Sequence, residues 1–582
     1  MNKDIEGQLA KMRREAEERD AKRRATSQGV SYLEPNRISV DLDSLALLPK
    51  SRAMEAHMAI IEAKERALVL IAPDPKFSKT KEAIEELKKQ GFSLKTFIVS
   101  ESSLQYAFSF YQYVASGRES IVGAVSIKEK EDGHNVTVDP KQYNTVIKAR
   151  AAIKVHNSAG DVSELLQTVL LGAVGTRASD VHIEPRQKVA KIRYRIDGIL
   201  NDVFGALSTS VYHTLLSRIK LLSKLKLNVQ DEPQDGRFTI NFAKKAIEVR
   251  VAVAPSEFGE VVVMRLLDPD AINMSLKDLG LRDDDLNIVT EQLSIPNGMI
   301  VNTGPTGSGK TTTLYAFLRH KNSSGIKIIT IEDPIEYHIE GLEQTQVDSE
   351  AGYTFASGLR SLMRQDPDVI LVGEIRDKET AGIAVQAALT GHLVFSTVHA
   401  NDAAAGIPRL LDLGVKPVSL APALNMLIAQ RLVRVLCPHC KQPLEINEEM
   451  KKKITTYVEA MPDRVDKKTA LSKMTMFKAK EGGCEQCSNT GYRGRLAIFE
   501  LLLINPTMQE LIIKGAGQLE IQKVIDQTDF VNMQQDGVLK VIAGITTFDE
   551  VERETGPIQW NASDKPSDRQ EGTEPGEDNQ AK

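Results

Sequence analysis

The segment that most restricts this chain is Gly304-Pro305-Thr306-Gly307-Ser308-Gly309-Lys310-Thr311, followed by Thr312, because it satisfies the pattern G-x-x-x-x-G-K-[ST]. It comes directly after the apolar run MIVNT and directly before TTTLYAFLRHK, which has helical character. A strand leading into a glycine-rich turn and then a helix turns successive backbone N–H groups inward, and the helix adds its positive dipole end at the same spot. The expected ligand is a nucleoside triphosphate, with Lys310 reaching its outer phosphates and the Thr311 hydroxyl on Mg²⁺. A glycine-rich turn that binds nothing is the competing reading, and the strand and helix on either side argue against it.

A phosphate loop of this kind needs a parallel sheet behind it and acids at the carboxyl ends of neighbouring strands. Short apolar strands recur between 290 and 435 (MIVNTG, KIITIE, DVILVGE, HLVFSTVH), each followed by a helical stretch. Continuous apolar strands separated by helices indicate a sheet covered on both faces. The acids follow: TIEDPIE brings Glu332, Asp333 and Glu336 after one strand, and Glu374 closes another. Gly373 stands where an Asp is usual, so Glu374 is expected to reach Mg²⁺ through water.

With 582 residues, three to five domains are expected. The sequence divides into a charged N-terminal segment (1–30), an N-terminal docking domain (31–127), a linker (128–149), a domain of alternating strands and helices (150–275), the phosphate-loop domain (276–436), a cysteine-bearing module (437–495), a C-terminal helical region (496–555) and a tail (556–582). Residues 1–28 hold eight Lys/Arg and six Asp/Glu with few large apolar side chains, which allows a solvated helix but no buried core, and a mobile lead is the expected reading. The tail offers almost nothing apolar to offset the entropy of ordering it, so disorder is expected there.

Cys437-Pro-His-Cys440 and Cys484-Glu-Gln-Cys487 use all four cysteines, with forty-three residues between the pairs. Four thiolates from two such turns suit tetrahedral Zn²⁺ with no open position, hence a structural site. Independent redox dithiols are the alternative. Hydrophobic residues at 41% and charged residues at 26% are those of a folded protein, and a net charge of −5 lacks the positive field of a nonspecific nucleic-acid binder. No apolar run reaches membrane-spanning length, and the N-terminus has charges where a signal peptide needs apolar residues.

GPTGSGKTTTLY, TIEDPIE, RQDPDVILVGEIRD and GHLVFSTVHAND, in this order, resemble the phosphate-loop, Asp-box, Walker B and His-box segments of the type II secretion and type IV pilus assembly ATPase superfamily. ASDVHIEP, PQDGRF and QQDGVLKVIAGITTFDEV extend the similarity over about residues 150–555. The resemblance implies an α/β multidomain fold: a RecA-like P-loop ATPase core preceded by a PAS-like α/β domain and a small N-terminal α/β domain, with an inserted zinc-binding module and a C-terminal helical region. It implies that Glu336 polarises the lytic water, that Glu374 helps hold Mg²⁺, and that His399, with His392 as a weaker candidate, senses the γ-phosphate. Arg250 and Arg265 match arginines placed over that phosphate, and guanidinium has the rigid fork phosphate oxygens require. Arg195 and Arg237 are expected at subunit contacts.

The expected activity is therefore ATP hydrolysis by a homohexamer on the cytoplasmic face of the inner membrane, with ATP, Mg²⁺ and Zn²⁺ as ligands. It would power pilus extension or type II secretion through a membrane platform protein and a cytoplasmic docking partner. A DNA-uptake or conjugation ring ATPase and a non-hydrolysing nucleotide-switched scaffold are the alternatives. The acidic balance disfavours the first, and the intact Lys310, Glu336 and Glu374 disfavour the second. Some relatives bind cyclic di-GMP through repeated Arg-Leu-Gly motifs near the N-terminus, and no such repeat occurs here, so no binding is expected.

Overall fold

The computed structural model describes residues 16–34, 40, 42–64, 66–112, 124–126, 140–159, 162–242, 245–472 and 474–560. The chain forms two compact units, Met1–Asp268 and Pro269–Lys582. The architecture is α/β throughout, as the sequence pattern implies. Among the described residues no helix is long and apolar enough to cross a membrane.

The first unit begins with a helix over 16–28, which contradicts the expectation of a mobile lead for that stretch. Ala21 and Ala25 are small enough to let the helix approach Ile98, and all three are buried. Glu18 accepts hydrogen bonds from Ser100 Oγ (2.5 Å) and Tyr32 Oη (2.6 Å), so polar pairing substitutes for the missing large apolar side chains. The helix docks on a four-stranded sheet in the order Ser31–Tyr32, Ser93–Ile98, Ala67–Ala72, Ala59–Lys64. Residues 1–15, and 128–139 of the expected linker, lie outside the described residues.

Beyond the N-terminal domain is a seven-stranded sheet in the order Ala124–Ser126, Gln234–Asn241, Ala246–Ser256, Gly259–Leu267, Asp180–Pro185, Val189–Ile196, Ile199–Ser208. The expected boundary at 127 therefore moves, since Ala124–Ser126 pairs with Thr239–Asn241 of this second sheet. Val181, Tyr194, Val249, Val251 and Met264 point to one face, where the helices Val146–Ala159 and Val162–Gly175 supply Ile153, Leu166 and Val169 to the same core. Alternation of side chains along each strand leaves the opposite face charged.

In the second unit, six parallel strands and one antiparallel strand are ordered Glu343–Gln346, Ile328–Glu332, Val369–Val372, Leu393–Val398, Gly298–Thr303, Leu424–Leu436, Tyr492–Leu503. All six residues of Gly298–Thr303 are buried, with Met299 and Val301 in the core on one face and Ile300 beside Phe317 and Phe395 on the other. This explains why the strand reads as a continuous apolar run. The carboxyl ends of the strands at 298, 328, 369 and 393 share one edge, where the acids and the loop emerge.

The C-terminal boundaries differ from the expected ones. Residues 496–503 belong to the long strand Tyr492–Leu503, and helices begin only at Pro506. Ile454 and Val458 of the cysteine-bearing module share one core with Val538, Val541 and Val551, so the module and the last helices are one packed body. Trp560, expected in a disordered tail, packs edge-on against Tyr457 and Phe548 at 5.5 and 5.6 Å between ring centroids. Residues 561–582 lie outside the described residues. Arg282, before the helix Asp283–Ser294, pairs with Asp285 (2.8 Å) and with the fully buried Asp536 (2.9 Å), tying the start of this unit to its C-terminal helix Met533–Ile542. Removing one partner from such a buried pair costs about 3–5 kcal/mol.

Candidate active site

Residues 304–309 connect Gly298–Thr303 to the helix Lys310–Lys321. Gly304, Gly307 and Gly309 take φ of 147°, 82° and 91°, the region that penalises a Cβ. A Cβ on Gly304 would also lie 2.7 Å from Ser308 Oγ and 2.8 Å from the Gln430 carbonyl, so this position is closed to any side chain. Lys310 Nζ donates to the carbonyls of Gly304 (2.8 Å) and Pro305 (3.0 Å), folded back over the loop it serves. Burial pushes its pKa below the ordinary lysine value, against the pull of Glu374, and Arg431 adds to the lowering. An anion on the loop would therefore relieve a cation that lacks full solvation. Thr311 is exposed and Thr312 half-buried, both in the first turn of the helix.

Glu374 follows the strand Val369–Val372 and is mostly buried, with its Oε2 2.5 Å from Arg376 Nε and 3.6 Å from His399 Nε2. His399 ends the strand Leu393–Val398, and together with Gly304, Pro305 and Asn401 it lines a cleft of about 410 Å³ beside the loop. The structure thus gathers Lys310, Glu374 and His399 at one edge. His392 stands at the opposite end of that strand, where its Nδ1 is 3.0 Å from the Ala387 carbonyl. Roughly 20 Å of extended chain separates the two histidines, so the weaker candidate is withdrawn from the phosphate site.

The Asp box divides into two roles. Glu332 is buried, its carboxylate accepting from Tyr315 Oη (2.5 Å) and Thr330 Oγ1 (2.6 Å), which makes it a core residue. The Asp333–Pro334 peptide is cis, and Glu336 is half-buried four residues beyond the strand. Arg250 and Arg265 belong to the first unit, opposite one another on the neighbouring strands Ala246–Ser256 and Gly259–Leu267.

Three residues outside the motifs shape this edge. Gln430 is buried, receives a hydrogen bond from Asn302 Nδ2 (2.7 Å) and donates to the Ser308 carbonyl (2.7 Å), bracing the loop from beneath. Arg431 donates to the Asn401 carbonyl (2.7 Å), joining the same strand to the His-box loop. The fully buried Glu500 accepts from the backbone N–H of Ala403 (2.7 Å) and of Met533 (3.2 Å), at the start of two helices. Burial, opposed by those two N–H groups, raises its pKa from 4.5 to about 7. The available signal was a polar pair, Gln430-Arg431, inside the apolar run LIAQRLV, and a lone Glu500 inside AIFELLL.

The four cysteine sulfurs lie within 4.8 Å of one another. Cys437 and Cys484 are 3.8 Å apart at Sγ, and Cys440 and Cys487 3.9 Å. Tetrahedral Zn–S bonds of about 2.3 Å put sulfurs about 3.8 Å apart, whereas a disulfide needs about 2.05 Å, so the group fits zinc. Burial alone would raise the Cys487 thiol, and the N–H groups of Cys484 (3.1 Å) and Gly491 (3.2 Å) outweigh it, leaving Cys487 at about 7.

A family model described as Type II/IV secretion system protein matches residues 155–553, which include the loop, the strand-end acids and the cysteine-bearing module. This chain is a member of that family. The type II secretion system protein E of Dickeya dadantii (strain 3937) is 45% identical over 394 residues, covering 68% of this chain and 76% of that protein. The type IV pilus assembly ATPase PilB of Myxococcus xanthus (strain DK1622) is 36% identical over 537 residues, covering 91% of this chain and 90% of that protein. The crystal structure of the Yersinia pseudotuberculosis ATPase DotB superposes with a TM-score of 0.50 at 21% identity, covering 67% of this chain and 93% of that one, a likeness of fold. As a family member with this loop intact, the chain is an ATP-hydrolysing P-loop enzyme of the secretion and pilus class.

Proposed function

We propose that the chain works as a homohexameric motor at the inner face of the cell membrane and that its first task is type IV pilus assembly. The observation carrying this reading is the reach of the similarity: the alignment with the pilus assembly ATPase of Myxococcus xanthus spans 91% of the chain, against 68% for the secretion protein of Dickeya dadantii. Type II secretion is the second reading, favoured by the higher identity over the shared part. The docking domain at 31–127 would bind a cytoplasmic partner, and a membrane platform protein would receive the stroke.

In this reading the amides of Thr306–Thr311 and Lys310 hold ATP, and Thr311 and Glu374 hold Mg²⁺, which neutralises phosphate charge. Glu336 orients the attacking water, His399 reads the γ-phosphate, and Arg250 and Arg265 stabilise the charge that builds on it. Cys437, Cys440, Cys484 and Cys487 hold a structural Zn²⁺. No nucleic acid and no cyclic di-GMP enter the cycle. Deleting the gene in its host is the direct test: loss of surface pili with type II substrates still exported supports the first reading, and the reverse phenotype transfers the assignment to secretion.

A further inference from the structure

Strand register on the charged face of the seven-stranded sheet sets five residues in one row: Arg237 opposite Arg250, Arg250 opposite Arg265, Arg265 opposite Asp180, and Asp180 opposite Arg195. Directly opposed residues share a face, and like charges so placed destabilise a sheet. Four arginines against one aspartate is thus an arrangement that stability alone does not favour. Asp180 is the one acid in the row, with a side chain only 6% exposed. Its Oδ1 accepts from Arg265 Nε at 3.0 Å, its Oδ2 lies 3.4 Å from Arg195 Nε, and Ser179 Oγ donates to Oδ2 at 2.8 Å.

The choice of nitrogen matters. A carboxylate that only neutralises an arginine commonly takes a bidentate fork, two N–H groups to its two oxygens. Here Nε is taken, and Arg265, with its side chain 56% exposed, has no other polar partner among the described residues. Its two Nη groups keep their N–H donors for a ligand, and such paired donors match phosphate oxygens. Arg195 is held by the same carboxylate and spends Nη1 on the Gly198 carbonyl (3.0 Å), so it has less to offer a ligand.

We propose that Asp180 is a positioning residue of the ATPase reaction, fixing Arg265 through Nε so that its guanidinium is ordered before it acts on the γ-phosphate. The inference rests on the reading that Arg265 acts on that phosphate. Fixing the guanidinium beforehand removes the entropy of ordering a long side chain when charge develops. The effect belongs to the transition state, so it enters kcat more than KM.

The test measures steady-state turnover and equilibrium ATP binding on the full chain. Arg265→Ala is expected to lower kcat at least about a hundredfold, and Asp180→Asn to lower it roughly ten- to hundredfold with KM within about threefold of the parent. The double variant should turn over no more than about twofold slower than Arg265→Ala alone, because Asp180 acts through that residue. Parent-like turnover in Arg265→Ala would sink the phosphate reading itself. A slow Arg265→Ala beside a parent-like Asp180→Asn, or multiplying losses in the double variant, would overturn only the positioning role. Should Asp180→Asn fold poorly, Arg265→Lys decides: lysine has no Nε to share, so it is expected to be as slow as Arg265→Ala within about threefold, and rescue by lysine would refute the proposal.

Discussion

In the proposed function the phosphate loop and the arginine row are two ways to prepare a protein for the same anion. The loop is continuous in sequence, made of backbone N–H groups, and shaped by glycines at positive φ, one of which is also closed to a side chain. The row is scattered over five strands, made of side chains, and held in place by register and one buried acid. Backbone donors are fixed once the chain folds, so they serve ground-state binding well. Braced guanidinium groups suit charge that appears later in the reaction. The comparison predicts a division of labour, in which the loop sets affinity and the row and strand-end acids set rate.

The largest effect is expected at Glu374. Glu374→Gln keeps the shape but removes the charge that the proposed function assigns to Mg²⁺, so kcat should fall about a hundred- to a thousandfold while ATP still binds, as measured by single-turnover hydrolysis beside calorimetry. Next comes the cysteine-bearing module. Stripping zinc with a chelator, or Cys484→Ser, should release one metal per chain by elemental analysis and lower the melting temperature of the second unit, because metal binding there is folding free energy. The shared core with the last helices means that those helices should loosen too, which hydrogen exchange over 531–555 would detect.

A smaller effect sharpens the loop side of the comparison. Gln430→Ala removes the brace on the Ser308 carbonyl, so the ATP dissociation constant should rise about tenfold, the equivalent of about 1.4 kcal/mol, with kcat at saturation nearly unchanged. A fall in kcat alone would show that the brace serves chemistry instead.

A separate readout, stability against pH, concerns Glu500. Its folded pKa of about 7 stands above the ordinary 4.5, so the stability it contributes is fully present below about 4.5 and is lost as pH rises through 7. The parent should therefore lose stability, read as melting temperature, between pH 5.5 and pH 8, by at most about 2 kcal/mol from this group. Glu500→Gln should flatten that slope, and an unchanged slope would assign the pH dependence elsewhere.

The legibility of the molecule follows the same division. The phosphate loop and its parallel sheet could be read because each element is a local pattern: glycine spacing, apolar runs, an acid at a strand end. The cysteine pairs were equally local, and their four sulfurs do converge. The Arg237-to-Arg195 row was not legible, since a strand register is a pairing between distant segments and leaves no mark within either one. The docking of the helix over 16–28 leaves no local mark for a related reason. Its docking depends on Glu17 and Glu18 meeting Ser100, Ser102 and Ser103 more than eighty residues away, so hydrophobicity alone could not reveal it. Residues 496–503 read locally as part of a helical region, since the pairing that makes them a strand is with Leu424–Leu436 across the whole module between them.

The most direct measurement sets Lys310→Ala and Arg265→Ala side by side, with nucleotide affinity and turnover recorded on the same full-length preparations. Lys310→Ala should lose ATP binding and, with it, turnover, whereas Arg265→Ala should bind ATP within a few-fold of the parent and fail to hydrolyse it. Unaltered turnover without Lys310, or loss of binding on removing Arg265, would contradict the division between a loop that holds the triphosphate and a row that acts on it.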